Sequence, residues 1–181
     1  PPLPPRRRSG LPRHQGGIYT VCRVPVTGGE PTALTQSTKE STFLVTAFPK
    51  YARFLYTADQ GGNENSHLYL QEIDGKVRDL TPGEKTKANF LKWSVDRTSF
   101  FFGTNERDPK FFDVYEMKVA DLPRSPVYTN EPGSDFGDLS DHRRFHTLWH
   151  SGESSAASAP TSYNVEHRAA QNLAAPPDGA H

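Results

Sequence analysis

The sequence predicts an all-β fold built from a repeated antiparallel sheet. Three observations support this prediction: three markers recur with a period of about 46 residues, the apolar runs are about five residues long, and Gly, Pro, Asp and Asn interrupt them. The aromatic content is 11%, mostly Phe and Tyr, and both residues favour strands. A helical repeat of similar length would show apolar residues at i, i+3 and i+4 over about ten positions, and that pattern is missing.

Three markers keep one order along the chain. The first is a set of tyrosines spaced by 50, 46 and 48 residues: Tyr19, Tyr69, Tyr115 and, more faintly, Tyr163. The second follows the first three tyrosines: Leu34-Thr35, Leu80-Thr81 and Tyr128-Thr129. The third contains a phenylalanine and occupies 42–44, 89–91 and 135–137. Markers that share nearly one period indicate repeated copies of one supersecondary unit.

Each full period contains four predicted strands. In one period they are predicted at 43–48, 53–58, 67–73 and 76–80, and in the next at 90–94, 99–104, 112–119 and 124–130. Asp74-Gly75 predicts a two-residue hairpin of type I′, because Gly tolerates a positive φ. Four short antiparallel strands in about 40 to 50 residues are typical of one blade of a β-propeller.

The predicted fold is therefore a partial β-propeller of about three four-stranded antiparallel blades with disordered ends. The predicted ordered part is 17–149. Its blades are placed at about 17–41, 42–88 and 89–134, with the start of another at 135–149. We expect a disordered Pro/Arg-rich tail at 1–16 and a low-complexity tail with a degraded echo of a blade at 150–181.

Composition and charge exclude several classes of protein. Lys plus Arg and Asp plus Glu are both 21, so the net charge is zero and provides no overall field for nucleic acid or an anionic membrane. The arginines near the N-terminus are read as a solvated tail rather than a phosphate-binding arm. Cys22 is the single cysteine, which excludes an internal disulfide and a multi-cysteine metal site. No apolar run reaches the roughly 18 residues of a membrane helix, and we expect no cofactor.

Three stretches carry a resemblance to a known family. They are YTADQGGNENSHLY at 56–69, LTPGEK at 80–85 and FFGTNERDPKFFDVYE at 101–116. They resemble the N-terminal propeller of bacterial prolyl oligopeptidase family serine peptidases of the dipeptidyl-peptidase and acylaminoacyl-peptidase type. The resemblance extends over about 18–141, and the TolB-like propeller is a broader relative.

The resemblance implies a propeller that restricts the entry of short peptides to a C-terminal α/β-hydrolase domain, where Ser, Asp and His cleave the bond. The Gly-x-Ser-x-Gly turn of such a domain is missing here, since the segment at 152–156 lacks the final Gly. We therefore expect a fragment of a substrate-gating propeller with no peptidase activity of its own, whose partners are the hydrolase domain and short peptides. The alternatives are a TolB-like protein-interaction scaffold without enzymatic activity and a non-functional truncated relic.

The sequence also departs from the pattern of the family. The usual Ser-Pro-Asp-Gly turn is replaced by Ser-Val-Asp-Arg at 94–97 and by Ser-Asp-His at 140–142. Placing another residue where Gly would adopt a positive φ costs about 1 kcal/mol.

Two charged groups are candidate substrate-facing or domain-facing residues by this resemblance. The first contains Asp59, Asn63 and Glu64, and the second, 46 residues after Gln60, contains Glu106, Arg107 and Asp108. A tight turn is favoured over a calcium site for the first group, because Gly, Asn and Asp satisfy such turns. A cluster whose charges satisfy one another is favoured for the second group.

Two further patterns are read as structural. His142, His146 and His150 suggest zinc, but successive histidines on the predicted strand lie about 13 Å apart, so one metal cannot bind all three. Phe90, Trp93, Phe100 and Phe102 could form a platform for a ligand. No Lys or Arg cluster accompanies them, and we interpret them, with Trp149, as core between sheets.

Overall fold

The computed structural model describes residues 9–15, 17–130, 134–140, 145–151, 158–164 and 169–172, with side chains at 17–130, 136, 137 and 140. These residues form strands and turns, and no helix is found among them. The strands are β1 (Ser9–Gln15), β2 (Ile18–Arg23), β3 (Thr32–Ala33), β4 (Phe43–Ala47), β5 (Phe54–Ala58), β6 (His67–Gln71), β7 (Val77–Asp79), β8 (Ala88–Trp93), β9 (Ser99–Asp108), β10 (Phe111–Lys118), β11 (Arg124–Tyr128), β12 (Ser134–Leu139), β13 (Phe145–Ser151), β14 (Ser158–Asn164) and β15 (Ala169–Asn172). The predicted all-β class is confirmed.

Consecutive strands pair into successive sheets. The sheet orders are β1-β2-β3, β4-β5-β6-β7, β11-β10-β9-β8 and β12-β13-β14-β15. The described ladders are antiparallel, so each sheet is a meander of neighbouring strands. The strands predicted at 53–58, 67–73 and 112–119 are observed within two residues of their predicted bounds. The chain divides into two compact units, Pro1–Phe90 and Leu91–His181.

The first unit has a core shared by its first two sheets. Val21 on β2 joins Tyr56 and Ala58 on β5, and the partly buried Leu44 and Tyr69 pack against them. Inside the second sheet, Leu side chains on β5 and β6 are almost completely buried. Burial of this apolar surface stabilises the unit by roughly 25 cal/mol for each Å² removed from water.

The second unit has an aromatic core on the sheet that contains β9 and β10. Phe101 and Val114 form a buried pair, and Phe136 of β12 packs against them. Phe100 and Phe102 are both 0% exposed. This burial supports the interpretation of these rings as core and leaves them no surface on which a ligand could stack.

Thr35 and Thr81 give a physical reason for the second sequence marker. The Thr35 hydroxyl accepts the N–H of Val21 at 3.0 Å, and the Thr81 hydroxyl accepts the N–H of Leu68 at 3.0 Å. In both cases the preceding leucine donates its N–H to the carbonyl oxygen of the same residue. Both threonines are buried, so the hydroxyl satisfies a backbone donor that water does not reach.

The first tyrosine marker is placed wrongly by three residues. The two threonine contacts align Val21 with Leu68, so Cys22, rather than Tyr19, corresponds to Tyr69. This shift of three residues accounts for most of the difference between the first tyrosine spacing of 50 residues and the threonine spacing of 46.

The predicted type I′ turn at Asp74-Gly75 is also wrong in type. Glu72 donates its N–H to the Lys76 carbonyl at 2.9 Å, so three residues form the hairpin loop. Gly75 has a φ of 85°, whereas Asp74 is not among the positive-φ residues. A three-residue loop that ends with a left-handed residue fits these contacts.

The ends of the chain differ from the prediction. Strand β1 lies inside 1–16, where a disordered tail was predicted, and its backbone pairs with β2. Strands β14 and β15 extend the last sheet to Asn172, inside the predicted low-complexity tail. Backbone pairing needs N–H and C=O groups rather than apolar side chains, so low-complexity composition did not reveal these strands.

Candidate functional site

The first candidate group occupies the loop between β5 and β6. Asp59 follows β5 directly, and Asn63 and Glu64 are exposed. The amide oxygen of Asn63 accepts the N–H groups of Gln60 at 3.3 Å and Asn65 at 2.9 Å. Glu64 has a φ of 59°. These contacts support the tight-turn interpretation, because the Asn63 oxygen is used within the loop.

Two neighbouring segments hold this loop. The N–H of Gly61 donates to the Glu40 carboxylate at 3.0 Å, and the Asn65 amide donates to the carbonyl oxygen of Glu84 at 3.2 Å. Glu40 precedes β4, and Glu84 follows β7. The loop is therefore fixed on both sides, and its exposed side chains project from a defined backbone.

His67, the first residue of β6, lies beside this loop and is fully buried. Its Nδ1 is 2.7 Å from a carboxylate oxygen of Asp79, and its Nε2 is 2.8 Å from the carbonyl oxygen of Gly83. Gln60 Nε2 is 3.4 Å from Nδ1. A general base would direct Nε2 at a nucleophile or substrate. Here a backbone carbonyl occupies that position, so His67 anchors the segment after β7.

The LTPGEK segment at 80–85 is held by the contacts of Gly83 with His67 and of Thr81 with Leu68. Besides the Thr81 hydroxyl contact with β6, the N–H of Thr81 donates to Asp79 at 2.9 Å. Gly83 has a φ of 150°, and a Cβ at this position would lie 2.1 Å from the hydroxyl oxygen of Thr86. Only Gly fits both the backbone conformation and the available space.

The second candidate group lies at the end of β9, which continues to Asp108 instead of ending at Thr104 as predicted. Arg107 donates two hydrogen bonds to Asp113, from Nε at 2.6 Å and Nη2 at 2.8 Å, and a third to the carbonyl oxygen of Asn130 at 2.7 Å. The Asp113 carboxylate raises the pKa of Arg107. Asp113 also accepts the N–H of Asn130 at 2.8 Å.

The remaining members of this group also have partners in their own sheet. Glu106 accepts a hydrogen bond from Arg124 at 2.7 Å, and Asp108 accepts the N–H of Lys110 at 2.9 Å. Burial, followed by the charge of Glu106, raises the pKa of the Tyr115 phenol. The prediction that Glu106, Arg107 and Asp108 satisfy one another is wrong in its partners, because each of the three forms its hydrogen bonds with a residue outside the group.

Tyr56 and Tyr69 stack beside the first group, with ring centroids 5.2 Å apart. Burial raises the pKa of Tyr56 to about 12, and the neighbouring Tyr69, Asp79 and Glu40 add to the shift. Burial also raises the pKa of Tyr69, although its hydrogen bond with Gln60 opposes the change. Both phenols are therefore neutral hydrogen-bonding groups at neutral pH.

Sequence reasoning missed His67 and Asp113. Each begins or nearly begins the third strand of its sheet, each is buried, and each fixes the segment that follows the fourth strand. Their separation of 46 residues equals the repeat, and both lie in stretches quoted for the family resemblance. A search for polar residues at the same position of successive repeats would have found them.

Within the described side chains, no group of three His, Cys, Asp or Glu residues is placed to hold a metal ion. His142 lies outside the described residues, and the side chains of His146 and His150 on β13 are outside the described set as well. The part of the chain that the structure describes also contains no helix with the length and apolarity to cross a membrane.

Comparison with known proteins gives one curated sequence relative. Dipeptidyl aminopeptidase BIII from Pseudoxanthomonas mexicana is 34% identical over 79 residues, which cover 42% of this chain and 12% of that peptidase. The match therefore spans about an eighth of the relative. No family model matches the chain.

Two solved structures share the fold. A putative TolB from Agrobacterium tumefaciens has a TM-score of 0.56 and 15% identity, and the match covers 88% of this chain and 57% of that one. One of two prolyl endopeptidases analysed for inter-domain dynamics has a TM-score of 0.56 and 12% identity. The match covers 92% of this chain and 29% of that one. The sequence relative and the two structures confirm the resemblance read from the motifs: a propeller of the prolyl oligopeptidase type with TolB-like kinship.

Proposed function

We propose that this chain is part of the substrate-gating propeller domain of a prolyl oligopeptidase family serine peptidase. Peptide hydrolysis is assigned to an α/β-hydrolase domain outside these 181 residues. The observation that carries the proposal is the 34% identity to a dipeptidyl aminopeptidase over 79 residues. The fold shared with a prolyl endopeptidase supports it.

In this proposal each sheet is one blade. The support is that every sheet is formed from strands that are consecutive in the chain, as in a propeller, where one blade follows another. The blades act as a scaffold, and they fix loops at defined positions next to the catalytic domain. Their partners are that domain and short peptides.

The proposed substrate-facing or domain-facing side chains are those of the two candidate groups. Asn63 and Glu64 are exposed on a loop with a fixed backbone, which suits a surface that meets a peptide. Arg107 is 43% exposed in its side chain while Asp113 holds its guanidinium. A charge that is both exposed and held at a fixed position selects among charged peptides without large ordering costs.

The first experiment determines the coding sequence that follows residue 181. The proposal expects an α/β-hydrolase domain with a Gly-x-Ser-x-Gly nucleophile turn. A stop codon reached after further propeller blades, with no hydrolase, would contradict it.

A second experiment treats the 181-residue chain with a serine-reactive fluorophosphonate probe and with chromogenic dipeptides. We expect neither labelling nor cleavage, because the chain has no Gly-x-Ser-x-Gly turn and the buried His67 faces a carbonyl oxygen. Stoichiometric labelling would show that the chain carries its own nucleophile and would contradict the assignment of hydrolysis to another domain.

The roles of the loops are tested in the complete peptidase. We expect Glu64→Gln to raise KM for positively charged peptides several-fold, because a carboxylate near the path of the peptide attracts them. The control is Lys76→Gln, which removes an exposed charge from the β6–β7 hairpin, and it should leave KM unchanged. Lys76→Gln changes the net charge in the opposite sense, so a decrease in KM of similar size in this variant would assign the effect to net charge instead of loop position.

A TolB-like protein-interaction scaffold is the second candidate function. The observation in its favour is the TolB fold, which matches 88% of this chain with a TM-score of 0.56. The coding sequence after residue 181 separates the two candidates, since a scaffold of this kind needs no hydrolase domain.

A further inference from the structure

The contacts of His67 specify its protonation state, independently of the proposed function. Both nitrogens of this buried ring face hydrogen-bond acceptors, the Asp79 carboxylate at 2.7 Å and the Gly83 carbonyl at 2.8 Å. A neutral imidazole carries one N–H, so one of these contacts would bring two acceptors together. A doubly protonated ring donates to both.

We propose that His67 is an imidazolium in the folded chain and acts as a proton-operated latch on the segment after β7. The latch joins the start of β6 to Asp79, the last residue of β7, and to Gly83. Loss of one proton removes one of the two donors and sets an unprotonated nitrogen of the buried ring against an acceptor oxygen, which favours release of the segment at 80–86.

The surroundings of the ring suit a positive charge. Asp79 faces Nδ1, and Tyr69 lies nearly parallel to the imidazole with ring centroids 6.0 Å apart. Tyr56 stacks on Tyr69, and Glu40 interacts electrostatically with both phenols. These described neighbours are acidic or neutral, and the face of an aromatic ring attracts a cation.

One further contact weighs against the latch. Gln60 Nε2 lies 3.4 Å from Nδ1, and it could donate to that nitrogen if Nδ1 carried no proton. The contact with Asp79 is 0.7 Å shorter, and an unprotonated Nδ1 would face the carboxylate without a hydrogen between them. The shorter contact therefore decides for a proton on Nδ1.

The latch also places a proton-sensitive group beside the first candidate loop. Release of the segment at 80–86 would free Glu84, whose carbonyl oxygen accepts the Asn65 amide. The loop that carries Asn63 and Glu64 would then lose one of its two anchors, while the Glu40 contact to Gly61 remains.

The test is nitrogen-15 NMR of the full chain labelled at histidine, in which His67→Gln assigns the signals of this ring. At neutral pH we expect both ring nitrogens at the chemical shifts of protonated nitrogen. A wild-type signal in the far downfield range of an unprotonated ring nitrogen would overturn the proposal.

Asp79→Asn provides a second variant that does not rely on His67→Gln folding. The side-chain amide introduced by this substitution can donate to Nδ1, so the neutral ring with its proton on Nε2 satisfies both contacts. We expect Nδ1 to move to the unprotonated position in this variant while Nε2 stays protonated. Identical ring shifts in the wild type and in Asp79→Asn would contradict the role of Asp79 in holding the second proton.

Discussion

Arg107 and Asp113 form a two-pronged ion pair between neighbouring strands of one sheet, with N···O distances of 2.6 and 2.8 Å. The Asp113 side chain is 3% exposed, whereas that of Arg107 is 43% exposed. The buried carboxylate also accepts the N–H of Asn130, so it connects the end of β9 to the segment after β11. This single side chain therefore holds together three parts of the sheet.

We expect Asp113→Asn to lower the free energy of unfolding by about 2 kcal/mol, because the amide cannot accept all three hydrogen bonds and places donors against donors. Urea denaturation followed by circular dichroism measures the change. The control is Glu106→Gln, which breaks a more exposed pair with Arg124 and should cost less than about 1 kcal/mol. Equal losses in the two variants would show that burial of Asp113 does not matter.

Gly83→Ala tests the shape of the segment after β7. A Cβ there would clash with the Thr86 hydroxyl, and the backbone is in a conformation that favours Gly. We expect a loss of about 2–3 kcal/mol in unfolding free energy. Gly62→Ala is the matched control, since its φ is 80° but no atom lies within 4 Å of the added carbon. It should cost only about 1 kcal/mol.

Arg97→Gly should stabilise the chain. Arg97 is exposed, has a φ of 59° and occupies the position where the related turns carry Gly. We expect the free energy of unfolding to rise by about 1 kcal/mol, because the side chain that disfavours this backbone conformation is removed. Arg97→Ala removes the same charge but keeps a Cβ, so it should gain much less. If Ala and Gly stabilise equally, the gain comes from the charge and the conformational explanation is wrong.

The stability of the chain should fall at high pH because of Tyr56. Its pKa is 10.0 in the unfolded chain and about 12 in the folded one, so the folded chain keeps this proton more tightly. The neutral Tyr56 phenol therefore contributes fully to the free energy of unfolding below about pH 10. This contribution is lost as the pH rises to about 12, and the loss amounts to at most about 2–3 kcal/mol.

Urea unfolding at several pH values in this window measures the loss. Tyr56→Phe removes the titrating group and should show a smaller decrease, although the raised pKa values of Tyr69 and Tyr115 leave part of it. The same decrease in the variant and the native chain would contradict the assignment to Tyr56.

Much of the fold could be predicted because it depends on local patterns. The short apolar runs in 54–58 and 67–71 are bounded by turn residues, so their positions as strands followed directly. The hairpin at 74–75 was predicted from its Gly. Its type depends on which carbonyl oxygen accepts the Glu72 N–H, here that of Lys76, and residue types do not specify this contact.

The candidate groups were predicted in their positions but not in their contacts. The repeat located Glu106, Arg107 and Asp108, yet their partners Asp113 and Arg124 lie on other strands, and pairing register decides which side chains meet. His67 escaped notice because a single histidine in a strand gives no signal of its own. The role of His67 depends on its contacts with Asp79 and Gly83, which form only in the folded chain.

The most direct test of the account is nuclear Overhauser spectroscopy of the chain in solution. The account rests on antiparallel sheets formed from consecutive strands, with Tyr56 opposite Tyr69 and Phe101 opposite Glu116. We predict cross-strand backbone contacts at both of these pairs. Sequential contacts typical of helix across 54–58, 67–71 or 111–118, with no cross-strand contacts, would contradict the fold and remove the basis for the peptidase proposal.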